Sequence, residues 1–401
     1  MSVTLWPVLV CFCLWSTGAG EAQSQEPGGQ RRAVVTSIQV PKEPPRTDVL
    51  ATFPEVAQEL VSKSAVPVLL LPNPREFETR RLVVKNLYYA AFFSDGKQSI
   101  SVHGSRLAYK YPRQRYLPSK AERSQIRSGE GFVSESEGIW TASWKEFGTS
   151  YFLSVECAEE KDDRCGSGKY VSQVANSLVY VGGGQRGTET QLPPLPEQST
   201  NKENFSYNPP GHLIPGSGTG RDDDTVYAPG IRFPIENKPA YANSQVWNPG
   251  GKHGPPNGSQ CDPKNYSYPW WDNFCETRSW TTTMCPTGNG HQGQDVRPST
   301  CEKDKHITVS VSEGTVTGIG TYTVFITAAD GTEFRYLHMS SVTVKVGDEL
   351  KRGDRIGRVS NLYKSTTTIH LHFEILQHLD ELGFVQVPPY MSLVRAYEGA
   401  F

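Results

Sequence analysis

Three short strings in the last third of the chain carry residues able to bind a metal and move protons. They are Gly290-His291-Gln-Gly-Gln-Asp295, Tyr336-Leu-His338-Met339 and His370-Leu-His372-Phe-Glu374, and they hold four of the nine histidines. A His and an Asp four apart lie on the same side of a strand or of a helical turn, so His291 and Asp295 can face one ion. In the third string, period-two alternation sets His370, His372 and Glu374 on one face and Ile369, Leu371, Phe373 and Ile375 on the other. Two imidazole nitrogens and one carboxylate oxygen fit a catalytic zinc that keeps its fourth position open for water. An isolated His-x-His is more often incidental, and a lone His338 more often a satisfied structural residue. Three strings at strand-compatible spacing within one stretch are hard to attribute to chance.

The elements that must position these residues read as strands. Apolar runs at 307–311, 314–319, 322–326, 333–338, 355–359 and 369–375 are separated by turns such as Ser312-Glu-Gly, Ala329-Asp-Gly and Lys351-Arg-Gly-Asp. Spacing near ten residues without intervening helices implies an antiparallel all-β domain, taken to span 236–401. Upstream, short strands around 66–71, 82–84, 90–93, 99–102 and 151–156 predict a separate β-rich domain over 61–185. Helical signal is confined to 53–62 and 169–176. Residues 23–60 read as a flexible leader and 186–235 as a Gly/Pro-rich linker. The acidic run Arg221-Asp-Asp-Asp is expected in a solvated turn. The aromatics of 241–285, among them Trp247, Trp270, Trp271 and Trp280, are expected to form a satellite core.

Composition limits the function. Lys+Arg 40 against Asp+Glu 42 gives a net charge of -2 over 401 residues, which offers no electrostatic case for a nucleic-acid partner. The apolar run 3–15 is too short to span roughly 30 Å of hydrocarbon and is followed by small residues. We read 1–22 as a signal peptide, with no membrane segment after its removal and an exported, periplasmic or secreted product. Six cysteines remain, Cys157, Cys165, Cys261, Cys275, Cys285 and Cys301, and their even number favours disulfides. Pairing of neighbours, 157–165, 261–275 and 285–301, is the simplest arrangement. The last of these would close a loop around His291 and Asp295, worth roughly 3 kcal/mol.

The three strings, in this order and spacing, resemble the motifs of the lysostaphin/LytM-type zinc metallopeptidases, which are bacterial peptidoglycan endopeptidases. Glu313-Gly-Thr-Val and the stretch from Val346 to Gly357 agree with the intervening segments, so the resemblance covers roughly 288–390. It implies a C-terminal antiparallel β-sheet metallopeptidase domain with a groove, and one Zn2+ held by His291, Asp295 and His372. His338 and His370 are then catalytic, and a peptide stem or cross-bridge of peptidoglycan is the substrate. The N-terminal domain is left to cell-wall or divisome partners. One departure is Lys364-Ser-Thr-Thr-Thr, which replaces the usual Gly-Pro turn before His-x-His. Alternatives are an inactive relative that activates wall amidases, against which all five motif residues are retained, and a general secreted metalloprotease.

Overall fold

The computed structural model describes residues 31–111, 120–159, 161–185, 205–254, 258–364 and 366–399. The stretch read as a signal peptide, 1–22, the first part of the leader and residues 186–204 of the linker lie outside the described residues. The described residues are mainly β, with two large sheets, a two-stranded one and few helices. Among the described residues no helix is long and apolar enough to cross a membrane.

The N-terminal sheet has seven antiparallel strands in the order Thr79–Val84, Tyr88–Ser94, Gln98–Ser105, Thr149–Cys157, Ile139–Glu146, Gly129–Ser136 and Ser124–Ile126. Strand alternation divides its two faces. Tyr151, Leu153, Val155 and Cys157 point into a core shared with the helices Glu55–Lys63 and Gly168–Ser177. Phe152, Ser154 and Glu156 point the other way, against the C-terminal domain. Phe152 packs on Phe384, Ser154 Oγ accepts a 2.7 Å hydrogen bond from Arg335, and Glu156 Oε2 accepts one of 2.6 Å from Thr323.

The C-terminal sheet is built on one strand, Thr366–Leu379, the longest in the molecule at 14 residues. Residues 371–373 pair with Gln294–Arg297 on one edge, and 372–376 with Glu333–Leu337 on the other. The register sets Asp295 and Leu337 opposite His372 from the two sides. Sequence periodicity marks this strand only over 369–375. After it the adjacent polar residues Gln377 and His378 are both buried, which breaks the alternation, and before it Thr366–Thr368 are polar and partly exposed. The closing helix Tyr390–Glu398 follows Pro389 and buries Leu393, Val394 and Tyr397.

Three expectations are corrected. The leader is not a bare flexible segment over its described part, because it carries the strand Arg32–Val35 and the helices Thr47–Leu50 and Glu55–Lys63. Arg32–Val35 pairs with Leu107–Lys110, which adjoins the end of Thr366–Leu379, so these two N-terminal strands extend the C-terminal sheet while the rest of the N-terminal part keeps its own seven-stranded sheet. The described part of the linker is packed rather than free: Tyr227 and Phe233 lie in the C-terminal core, and Asp223 takes a 2.7 Å ion pair from Arg221. Aromatic composition was the available signal here, since Phe205 and Phe233 join Trp270 and Tyr397 in one ring cluster.

The cysteine pairing also differs from the neighbour arrangement. Cys157–Cys165 forms as expected, but Cys261 joins Cys301 and Cys275 joins Cys285. The loop containing His291 and Asp295 is therefore closed by the Cys261–Cys301 bridge, over a separation of 40 residues and not 16. The chain-entropy model gives such a loop about 4 kcal/mol.

The interface between the sheets buries a charge pair with a pH signature. Glu333 and Arg335 share a strand face, 2.7 Å apart and nearly inaccessible, and Arg335 stacks over Phe152 and Phe325. Burial opposes the charge of Glu333, but Arg335 and His103 overcome it and hold the carboxyl at about 2, below its ordinary 4.5. A depressed carboxylate stabilises the fold above the unfolded value and loses that contribution as pH falls from about 4.5 to 2, here roughly 3 kcal/mol in all. Glu333→Gln is expected to lower Tm at pH 7, leaving Arg335 buried and unpaired. Its deficit relative to wild type should shrink towards pH 2. A deficit constant across pH 7 to 2 in thermal melts would contradict this assignment.

Candidate metal and catalytic site

Three chain segments converge on one point. Asp295 lies opposite His372 across paired strands, and its Oδ1 is 3.0 Å from His372 Nδ1. His291 arrives from the loop before that strand; its Nε2 is 3.0 Å from His372 Nδ1 and 3.4 Å from Asp295 Oδ1. Gly293 between them is required, because a Cβ there would meet the His372 ring at 2.7 Å. His338 follows the end of Glu333–Leu337 at φ +62, a conformation a non-glycine residue keeps only where its surroundings impose it. Its ring lies 4.5 Å from that of His370. All five residues named from the sequence are thus brought together.

Each of these side chains is held from behind. His291 Nδ1 donates to the Asn273 carbonyl at 3.0 Å, leaving Nε2 as the inward lone pair. The Asn273 side chain donates to Asp295 Oδ2 at 2.7 Å and accepts from the Asp295 backbone at 3.1 Å, so this one buried residue holds His291 through its backbone and Asp295 through its amide. Asn273 is set in turn by the neighbouring Cys275–Cys285 bridge and by Cys275 N–H donating to the His291 carbonyl. His372 Nε2 donates to Glu374 Oε1 at 3.1 Å, which turns its Nδ1 towards the centre. His338 and His370 donate Nδ1–H to the carbonyls of Leu362 and Thr368, both at 2.8 Å. Both therefore present a bare Nε2. That of His370 is 3.5 Å from Asp295 Oδ1, and that of His338 is buried without a hydrogen-bond partner among the described residues.

The electrostatics follow from burial of mixed charge. Burial alone would lower His372, but hydrogen bonds and charge from Asp295 and Glu374 hold it up at about 10. Burial would raise Asp295, yet His291 and His370 keep it well below the usual carboxylate range. Burial and the neighbouring His372 push His338 down to about 4, and burial likewise depresses His370. The metal-free cluster thus holds the ionised Asp295 carboxylate and neutral His338 and His370, while His372 keeps a proton that a divalent cation would displace. Donors at about 2.0–2.1 Å in a tetrahedron stand about 3.3 Å apart. The spacings of 3.0, 3.0 and 3.4 Å between His291, Asp295 and His372 fit that shell.

Sequence reasoning missed Asn273, the orienting role of Glu374, and Glu137. Glu137 comes from the N-terminal sheet, at the two-residue Glu137-Gly138 loop joining Gly129–Ser136 to Ile139–Glu146. It supplies a ligand atom to a group with His291 and His372 in which all lie within 4.8 Å of one another. Burial raises its carboxyl, against the pull of His372. An Xaa-Gly pair between alternating strands marks the hairpin in the sequence, but nothing local places it beside histidines more than 150 residues away.

Asn273 generates a direct test of the supporting shell. Such partners typically contribute 10–100-fold to metal affinity. Asn273→Ala is expected to weaken zinc binding by that factor in competition with a chromophoric chelator, with the circular dichroism of the fold retained. Unchanged affinity would show that Asn273 does not position the ligands.

Comparison with known proteins places this geometry. Residues 289–382 match Peptidase family M23. No curated protein matches the chain. Among solved structures, a putative glycyl-glycine endopeptidase LytM from Ruminococcus gnavus is 22% identical at a TM-score of 0.29, over 43% of this chain and 62% of that one. This chain therefore spans less than two thirds of that protein. The catalytic domain of lysostaphin from Staphylococcus simulans is 23% identical at a TM-score of 0.25, covering 33% of this chain and 94% of that one. The deep-sea M23 metalloprotease pseudoalterin is 20% identical at a TM-score of 0.22, covering 30% and 73%. All five residues that converge here lie within 289–382, the stretch that matches Peptidase family M23, in line with the lysostaphin/LytM-like strings of the sequence.

Proposed function

We propose that the chain is an exported zinc endopeptidase that hydrolyses peptide stems or cross-bridges of peptidoglycan. The observation that carries this reading is the convergence of His291 Nε2, Asp295 Oδ1 and His372 Nδ1 within 3.0–3.4 Å, beside the inward-facing Nε2 atoms of His338 and His370. The family match supports peptide-bond hydrolysis, and three disulfides support an oxidising compartment.

Zinc bound by these three residues supplies a Lewis acid that activates water and polarises a peptide carbonyl. The protein's own groups handle the protons. Both His338 and His370 are neutral with Nδ1–H tied to the backbone, so each inward Nε2 can take a proton from the attacking water. The protonated imidazole can donate from Nε2 to the carbonyl oxygen as charge develops there and then return the proton to the leaving amine, while the second imidazole's bare Nε2 accepts from the attacking water and orients it. Glu374 keeps the His372 ring from rotating as charge develops.

The test is mass analysis of fragments from prolonged digestion of purified peptidoglycan by the full-length chain, with and without a chelator. Chelation should abolish release and zinc should restore it. His338→Ala should retain zinc while cleavage falls about 10²–10⁴-fold, and His372→Ala should lose the metal. Casein cleavage without any muropeptide would shift the substrate to proteins in general. Zinc content unchanged in His372→Ala would overturn the site itself.

A further inference from the structure

Behind His370 runs a chain of hydrogen bonds whose direction is fixed from end to end. The ring Nδ1 faces two oxygens of Thr368, the carbonyl at 2.8 Å and the hydroxyl at 3.1 Å. That hydroxyl donates to Gln245 Oε1 at 2.8 Å. The Gln245 amide is oriented by its other end, where Nε2 donates to the Asn243 carbonyl at 3.2 Å and to Asn243 Oδ1 at 3.3 Å. Asn243 is set in turn by Arg297, whose Nε donates to the same Oδ1 at 3.3 Å, and by its own Nδ2, which donates to the Asn265 carbonyl at 2.8 Å. Gln245, Asn243, Asn265 and Arg297 are all buried, which strengthens each bond over its counterpart in water. A hydroxyl has a single hydrogen, and here it goes to Gln245. Towards His370 the Thr368 oxygen can then only accept, so Nδ1 carries the proton and Nε2 is left bare.

The same stretch is where the chain departs from the usual Gly-Pro turn. Thr368 supplies the hydroxyl, and the Ile369 N–H donates to Gln260 Oε1 at 2.7 Å. Gly-Pro directly before His370 would offer neither group. Gln245 and Gln260 both lie in the aperiodic aromatic segment, Gln260 beside the Cys261–Cys301 bridge, so the altered turn and that segment fit one another.

The opposite tautomer has an attraction of its own. A proton on His370 Nε2 would point at Asp295 Oδ1, 3.5 Å away, the oxygen offered to the metal. It would also leave no lone pair to take a proton from water. We propose that Gln245 is a positioning residue for the reaction: by fixing the direction of the Thr368 hydroxyl, it holds His370 in the tautomer with a bare Nε2. This rests on the metallopeptidase reading above and assigns a further residue to the same site.

The test is nitrogen-15 NMR of the metal-free, histidine-labelled full-length chain, which distinguishes a protonated ring nitrogen from a bare one. It is joined to kcat and KM of the zinc-loaded chain on soluble muropeptides. The His370 signals are assigned by their loss in His370→Gln, and wild type should show a protonated Nδ1 and a bare Nε2. Gln245→Met frees the hydroxyl hydrogen to turn onto Nδ1. Both ring signals should then move towards the mean of two tautomers, and kcat should fall about 3–10-fold with KM and zinc content unchanged. Thr368→Ser keeps the hydroxyl and should match wild type. The combined variant Gln245→Met/Thr368→Val removes the competing donor while the carbonyl at position 368 still accepts from Nδ1. It should regain the wild-type signals and part of the lost kcat. His370 signals identical in wild type and Gln245→Met would overturn the proposal, as would shifted signals with unchanged kcat. A combined variant slower than Gln245→Met alone would also overturn it, since that is the result of lost packing. Wild type that neither holds zinc nor cleaves, with the tautomer intact, would instead sink the metallopeptidase reading and with it the catalytic purpose of Gln245.

Discussion

The register of Thr366–Leu379 against its two neighbours is the constraint on which the site depends. Asp295 stands opposite His372 on one edge and Leu337 on the other, so His338 emerges one residue beyond the same level. A slip of one residue would turn His370, His372 and Glu374 to the opposite face. Such a slip is prevented by burial on both sides, with Leu371, Phe373 and Ile375 locked in the core beneath the histidines. The apolar alternation therefore does two tasks at once: it closes the C-terminal core, and it aims the polar residues of the same strand at one point.

Concentrating charge at that point is costly, and the surroundings show how the cost is met. Asp295, Glu374 and Glu137 are desolvated together with four imidazoles, and an unpaired charge there would be strongly destabilising. Asn273, the backbone carbonyls of Leu362 and Thr368, and the Asp295–His372–Glu374 chain satisfy the outward atoms. The inward atoms are left facing one another, which is the arrangement a cation resolves. The N-terminal sheet completes the enclosure, since its second face is polar where it meets the C-terminal domain and the hairpin carrying Glu137 closes over the histidines.

What could be read from the sequence follows the range of the interactions. The His-x-His strand was legible because period-two alternation is local, and so were the strand at Gly314–Ile319 and the helices at Glu55–Lys63 and Gly168–Ser177. The five motif residues were legible because their spacing within each string is short. Disulfide partners were not, because Cys261 and Cys301 meet through folding of an aperiodic segment rather than through proximity in the chain. Asn273 carries no signal, since its two roles exist only once the Cys275–Cys285 loop is folded beside Asp295. Glu137 is the extreme case: a hairpin tip is predictable, but the docking of one sheet on another is not written in either hairpin.

The most direct measurement is anomalous diffraction at the zinc edge from crystals of the zinc-loaded full-length chain. The account predicts a single peak within about 2.0–2.2 Å of His291 Nε2, Asp295 Oδ1 and His372 Nδ1. No peak at that position, or a peak coordinated by other residues, would contradict it.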